Sequence, residues 1–174
     1  YHLALAHYLK GDFERALPIY QRELDNARND DRRVSIAYWY YLSLRRLGRA
    51  DAATAVLAPI SGRMKVIEND AYLRLLLLYK GERPVDSVLV PAAGGGVMSV
   101  TYATAAYGIG MWHLINGRKG EADQIFRRIV AGGQWGAFGY IAAEAELARG
   151  VTLTRTANQE LARDASLIRI RCCS

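Results

Sequence analysis

Cysteine is nearly absent. Cys172 and Cys173 are the two present, neighbours at the end of the 174-residue sequence. Adjacent cysteines rarely satisfy disulfide geometry, so no disulfide framework is expected, and thiols at a chain end are expected to fray. They leave the compartment open. No stretch approaches the roughly 18 apolar residues that span a bilayer; the longest candidate, Leu75 to Tyr79, is far too short. No HExxH, no CxxC and no cluster of His with carboxylates at ligand spacing occurs, which excludes the common zinc motifs.

Catalytic signatures are missing as well. Gly94, Gly95 and Gly96 form a glycine run, but no Lys followed by Ser or Thr comes after it, so a phosphate-cradling loop lacks its partners. Gly108 and Gly110 give a bare GxG inside a helical pattern without a preceding strand, and read better as sites of close helix approach. Ser35 and Ser43 have no triad motif around them. Glu144 and Glu146 stand two apart, which on a helix sends them to different faces. The sequence therefore predicts no catalytic residue, no metal site, no cofactor and no enzymatic activity. The net charge of +6 and pI near 9.5 are distributed along helical patterns rather than in one block, and read as solvated faces.

What is present is a period. Gly11, Gly48, Gly81, Gly117 and Gly150 lie 37, 33, 36 and 33 residues apart, and each closes a segment of helical apolar periodicity. Five residues after the Gly stands Ala16, Ala53 or Ala122 in the first, second and fourth units. Nine residues after it stands Tyr20, Leu57, Val90 or Phe126. Glycine permits a left-handed turn, the small Ala lets a second helix approach the first, and the large residue fills the gap beyond it. Each helix pair alone leaves one face wet, and stacking neighbours buries it.

The stretches LALAHYLKGDFERALPIY and INGRKGEADQIFRRIV resemble tetratricopeptide repeats, and the series is similar to bacterial tetratricopeptide proteins over residues 1 to about 150. The aromatic often found near the start of the first helix is replaced by Ala37, Asp70, Ala106 and Gly139, so the repeats are degenerate. The resemblance implies an all-α fold: a right-handed α-solenoid of antiparallel helix pairs, forming one domain over residues 1–174. Its units are residues 1–29, 30–62, 63–98, 99–133 and 134–174. Because Tyr1 already lies inside a periodic segment and is no initiator Met, the chain is expected to be a piece of a longer protein.

Within the units, Asp12 is expected to cap a helix running to about Ala27 with Pro18 kinking its interior. Asp30 or Asp31 should cap a helix to about Leu47, followed by a short one from Ala50 to Ala58. Helices are predicted from Met64 to Lys80, Ser99 to Asn116, Lys119 to Ala131 and Gln134 to Arg149. Pro84 and Asp86 should damage the third unit's second helix, and Pro91 to Gly96 should form a mobile loop. Residues 155–170 are a candidate final partner helix.

In tetratricopeptide proteins the concave groove is lined by first helices. Ten residues before each repeat glycine stand Tyr1, Tyr38, Ala71, Tyr107 and Tyr140, positions that the resemblance places towards that groove. Helical spacing gathers Leu42, Arg45 and Arg46 beside Tyr38, and Met111 and Leu114 beside Tyr107. The expected partner-binding groove is thus Tyr38, Leu42, Arg45, Arg46, Tyr107, Met111, Leu114 and Tyr140. Trp39, Trp112 and Trp135 are expected in the core, and His7 and His113, each four residues before its glycine, in repeat packing. The function this implies is a scaffold that holds a peptide or helix of another protein. RNA binding through Arg45, Arg46, Arg49, Arg127 and Arg128 interleaved with Tyr is the less favoured alternative. A third is the non-catalytic docking region of a larger enzyme.

Overall fold

The computed structural model describes residues 1–89 and 100–151. Val90, the loop at Pro91 to Gly96, the candidate helix at residues 155–170 and the two cysteines lie outside the described residues. The described fold is all helical. It comprises α1 (His2–Lys10), α2 (Phe13–Asp25), α3 (Asp30–Arg46), α4 (Ala50–Leu57), α5 (Asp70–Lys80), a 3-10 turn (Val85–Ser87), α6 (Val100–Ile115), α7 (Lys119–Ala131) and α8 (Phe138–Ala148).

The periodic glycines end α1, α3, α5, α6 and α8 in one common way. Gly11, Gly48, Gly81, Gly117 and Gly150 all have φ between 75° and 82°. At each, the residue after the glycine donates its amide to the carbonyl five positions earlier, as Asp12 does to His7, Arg49 to Leu44, Glu82 to Leu77, Arg118 to His113 and Val151 to Glu146, each at 2.9 Å. This is the Schellman closure, which satisfies orphan carbonyls and needs a left-handed residue. The sequence period is therefore a period of one repeated helix stop.

Beyond the stop, Ala16, Ala53 and Ala122 are fully buried, with Tyr20, Leu57 and Phe126 buried behind them. The second helices sit between first helices: α2 contacts α1 and α3, α4 contacts α3 and α5, and α7 contacts α6 and α8. First helices also meet one another, α1 with α3, α3 with α5 and α6, α5 with α6, and α6 with α8. The series then returns on itself, because α8 also contacts α1. Close approach inside it depends on absent side chains: a Cβ on Gly139 would stand 2.3 Å from the Ala103 carbonyl oxygen, and one on Gly108 2.4 Å from Leu75. The GxG of α6 thus serves helix packing.

Several boundaries depart from expectation. α2 runs through Pro18 as expected but ends at Asp25 rather than Ala27. Asp12 occupies the cap position of α2 but makes no side-chain cap bond; its carboxylate lies 3.8 Å from His7 Nδ1 instead. α3 is capped by Asn29, whose Oδ1 accepts from the Arg32 amide at 2.8 Å, one residue before the expected aspartates. Those aspartates hold another segment. Asp30 accepts from the Lys65 amide, and Asp31 accepts from the amides of Ile67, Glu68 and Asn69 at 2.9, 2.9 and 3.0 Å. With its backbone donors taken this way, the stretch before Asn69 is irregular, and α5 starts at Asp70 rather than Met64. Likewise α8 starts at Phe138, after a turn closed by the Ala137 amide on the Gln134 carbonyl.

Amide donation, from Ile67 foremost, lowers the Asp31 pKa below the ordinary carboxylate value. The sign follows from linkage: a carboxylate depressed in the fold contributes stability that is fully present above the unfolded value, about pH 4, and is lost as pH falls through the depressed value. Asp31→Asn is expected to lower the urea midpoint at pH 7. The gap between variant and parent should close progressively below about pH 4. Urea titrations of both proteins across that range check it.

Candidate functional site

The eight residues expected to line a groove divide sharply. Tyr38, Leu42, Arg46, Tyr107, Met111 and Leu114 are buried in the core, whereas Arg45 and Tyr140 are half-buried. The structure thus offers six of them to the protein's own interior, not to an open surface. The physical reason is closure. With α8 against α1, the inward faces of the first helices meet one another and fill the space a groove would occupy.

That interior is aromatic with an ionic centre. Tyr8 stands edge-on to Trp39 at 5.0 Å between ring centres, Trp39 lies 5.8 Å from Tyr107, and Tyr107 5.5 Å from Phe126. On the other side, Tyr38 and Tyr41 both stack on Tyr79, at 6.1 and 4.8 Å. The Tyr79 hydroxyl donates to the Gly108 carbonyl at 2.8 Å, tying α5 to α6.

Glu146 is wholly buried, an acid that sequence reasoning placed only as half of an unproductive pair. Its carboxylate accepts from the buried Arg46 guanidinium and, at 2.7 Å, from Arg149 Nη2. The Tyr107 hydroxyl points to the same carboxylate at 3.4 Å. With that proton so directed, Tyr8 donates to Tyr107 across 2.7 Å. Arg149 also donates to the Leu9 carbonyl at 2.5 Å. Phe13 receives the face of both guanidiniums, Arg46 at 4.8 Å and Arg149 at 5.9 Å. Burial alone lowers the Arg46 pKa, but the Glu146 charge and hydrogen bond outweigh it and leave it raised, so the guanidinium stays charged. Burial, reinforced by the Glu146 charge, pushes the Tyr8 phenol up and keeps it neutral.

The basic residues considered for RNA are largely engaged elsewhere. Arg46 is in the centre, Arg49 pairs with Glu14 at 2.7 Å, Arg127 with Asp123 at 2.7 Å, and Arg45 donates to the Tyr41 hydroxyl at 3.2 Å. His113 is half-buried, edge-on to Trp112 at 5.2 Å; burial, then Arg118, lowers its pKa. No group of three or more His, Cys, Asp or Glu fit to hold a metal occurs among the described residues. No described helix is long and apolar enough to cross a membrane.

Among the described residues, one open surface lies at a rim. An open cavity of about 260 Å³ is lined by Glu68, by Asn69, Ala71 and Tyr72 of the α5 start, by Val100, Thr101 and Thr104 of α6, and by Gly136 and Phe138. Exposed apolar side chains occur at the same helix starts and in the segments leading to them: Trp135 at 78%, Val100 at 56%, Phe138 at 37% and Ile67 at 88%. Trp39 is in the core as expected, and Trp112 is half-buried beneath the Arg118 guanidinium at 4.2 Å. Trp135 corrects the expectation, since the turn before α8 leaves it outside. Neither α5 nor α8 has a side-chain cap: Asn69 makes no cap bond and Ala137 has no polar atom to offer. The rim therefore presents apolar surface beside two helix starts whose cap residues supply no side-chain acceptor.

Comparison with protein-family models, with curated proteins and with solved structures finds no match. The site is accordingly read from its own geometry. Its central interaction gives one direct expectation. Glu146→Gln leaves the buried Arg46 guanidinium and the half-buried Arg149 short of their counter-charge, a loss of about 3–5 kcal/mol in unfolding free energy. The exposed Glu144→Gln should leave stability unchanged. Urea unfolding followed by circular dichroism distinguishes the two.

Proposed function

We propose that the chain is a tetratricopeptide-like protein-interaction module, a right-handed stack of antiparallel helix pairs that binds an extended segment of a partner protein at the rim of α5, α6 and α8. The observation that carries this reading is that exposed Phe138 and Val100 line a cavity large enough for one or two side chains, with exposed Trp135 the chain neighbour of the lining Gly136. Tryptophan is costly to leave in water and is favoured where proteins meet. The repeated Schellman stops and the buried Ala-to-large spacing support the repeat reading.

The chemistry of the ligand follows from the rim. An apolar side chain would enter between Phe138 and Tyr72, and a backbone carbonyl or carboxylate beside it would accept from the uncapped amides opening α5 or α8, where the helix dipole also favours negative charge. The partner segment is thus extended, with an apolar residue flanked by an acidic one. Trp135 would cover the bound segment from the side.

Selection of random twelve-residue peptides displayed on phage tests this without a known partner. Selected peptides should share the apolar-acidic pair and shift the emission of Trp135 to the blue on binding. Affinity should fall by about tenfold or more in Trp135→Ala and in Phe138→Ala. Failure to enrich any sequence, or binding indifferent to both variants, contradicts the proposal.

A further inference from the structure

A second unfilled surface is built into the arrangement of helices. The junction of α1 and α3 is bridged by α2, that of α3 and α5 by α4, and that of α6 and α8 by α7. Between α5 and α6 the Val85–Ser87 turn and the buried Val88 follow in the chain. The junction of α8 with α1 has no such helix among the described residues.

The faces at that junction are apolar. On α8, Ile141 and Ala145 are half-exposed and Ala148 is exposed, in line with Phe138 at the rim. These positions fall three, seven and ten residues after Phe138, so they form one stripe. On α1, Leu3 and Ala6 are exposed. The opposite face of α8 carries buried Glu146 and Ala143 into the core. A helix apolar on both sides is one that expects cover on both.

The chain supplies 23 further residues after Val151, beginning at this junction. Gly150 and Val151 both have positive φ, 80° and 47°, and Val151 is buried, so the chain turns away from the α8 axis and is anchored as it leaves. Downstream, Ala157, Leu161, Ala165 and Ile168 recur at spacings of four, four and three, a single helical stripe set between Glu160, Arg163, Asp164 and Arg169. Ala157 followed four residues later by Leu161 repeats the pairs Ala16 with Tyr20, Ala53 with Leu57 and Ala122 with Phe126, which are the contact residues of α2, α4 and α7. In the last unit the pair stands two residues further from its glycine.

We propose that residues 155–170 are the docking partner of this seam: an outer helix for the last unit that lays Leu161 and Ile168 against Ile141 and Ala145 of α8 and Ala6 of α1. The same seam then joins the last unit to the first, so this segment acts as the clasp of the closed arrangement.

Hydrogen exchange on the full chain tests the clasp. Amides of residues 157–168 should exchange on the order of a hundredfold more slowly than an unstructured peptide of the same sequence. Ile141→Asp on α8 and, separately, Leu161→Asp with Ile168→Asp should each return them to unprotected rates while α3 to α7 keep their protection. A benzoylphenylalanine placed at Ala148 gives a reading independent of those variants, and should cross-link within the same chain to residues 155–170. Unprotected amides in the parent, protection insensitive to Ile141→Asp, or cross-links only to a second copy would each overturn the proposal.

Discussion

One buried carboxylate holds the two ends of the described fold together. Glu146 on α8 binds Arg46 from the end of α3, while Arg149, held by the same carboxylate, reaches the Leu9 carbonyl at the end of α1. A buried ion pair is a poor source of net stability, since desolvation of the charges offsets most of their attraction. It is a strong source of register. Three helix ends from the first, second and fifth units can meet here in one way only, and any slippage strands a charge. The tyrosine pair extends the constraint to α6, since Tyr8 and Tyr107 complete the shell around the carboxylate.

Closure decides which side chains are left at the surface. In an open stack the inward tyrosines would face a partner; in this one they face each other, and Tyr38, Tyr107 and Trp39 become core. The same side chains that resemble a recognition surface by position are here fixed by mutual packing, with burial keeping their phenols neutral. Exposed apolar surface is found instead at the rim, where α5, α6 and α8 begin beside exposed Trp135. The two surfaces described, rim and seam, meet at Phe138.

The helices were legible in the sequence because their stops were. Five glycines at nearly even spacing announce five Schellman closures, and the Ala and aromatic positions after them announce how the second helices sit. α7 begins and ends where composition predicts. The misses share a cause, which is that long-range partners override local signals. Met64 to Asn69 has a helical composition, yet Asp30 and Asp31 of α3 take its amides from 35 to 38 residues away. The burial of Tyr38 and Tyr107 escaped the sequence for the same kind of reason, since no local pattern reports that α8 returns to α1. Glu146 carried one available signal: it is an acid four residues before a repeat glycine, where the equivalent residues are His7, Leu44, Leu77 and His113. Its neighbour Glu144 obscured that position.

The most direct test of the account is the distance between α1 and α8 in solution. Nitroxide labels at Lys10→Cys and Glu144→Cys, with Cys172 and Cys173 replaced by Ser, report it by pulsed electron resonance. The account predicts one narrow, short-distance population that broadens and lengthens when Glu146→Gln is added. A long or broad distribution in the parent, or one unmoved by Glu146→Gln, would contradict a closed fold held by that carboxylate.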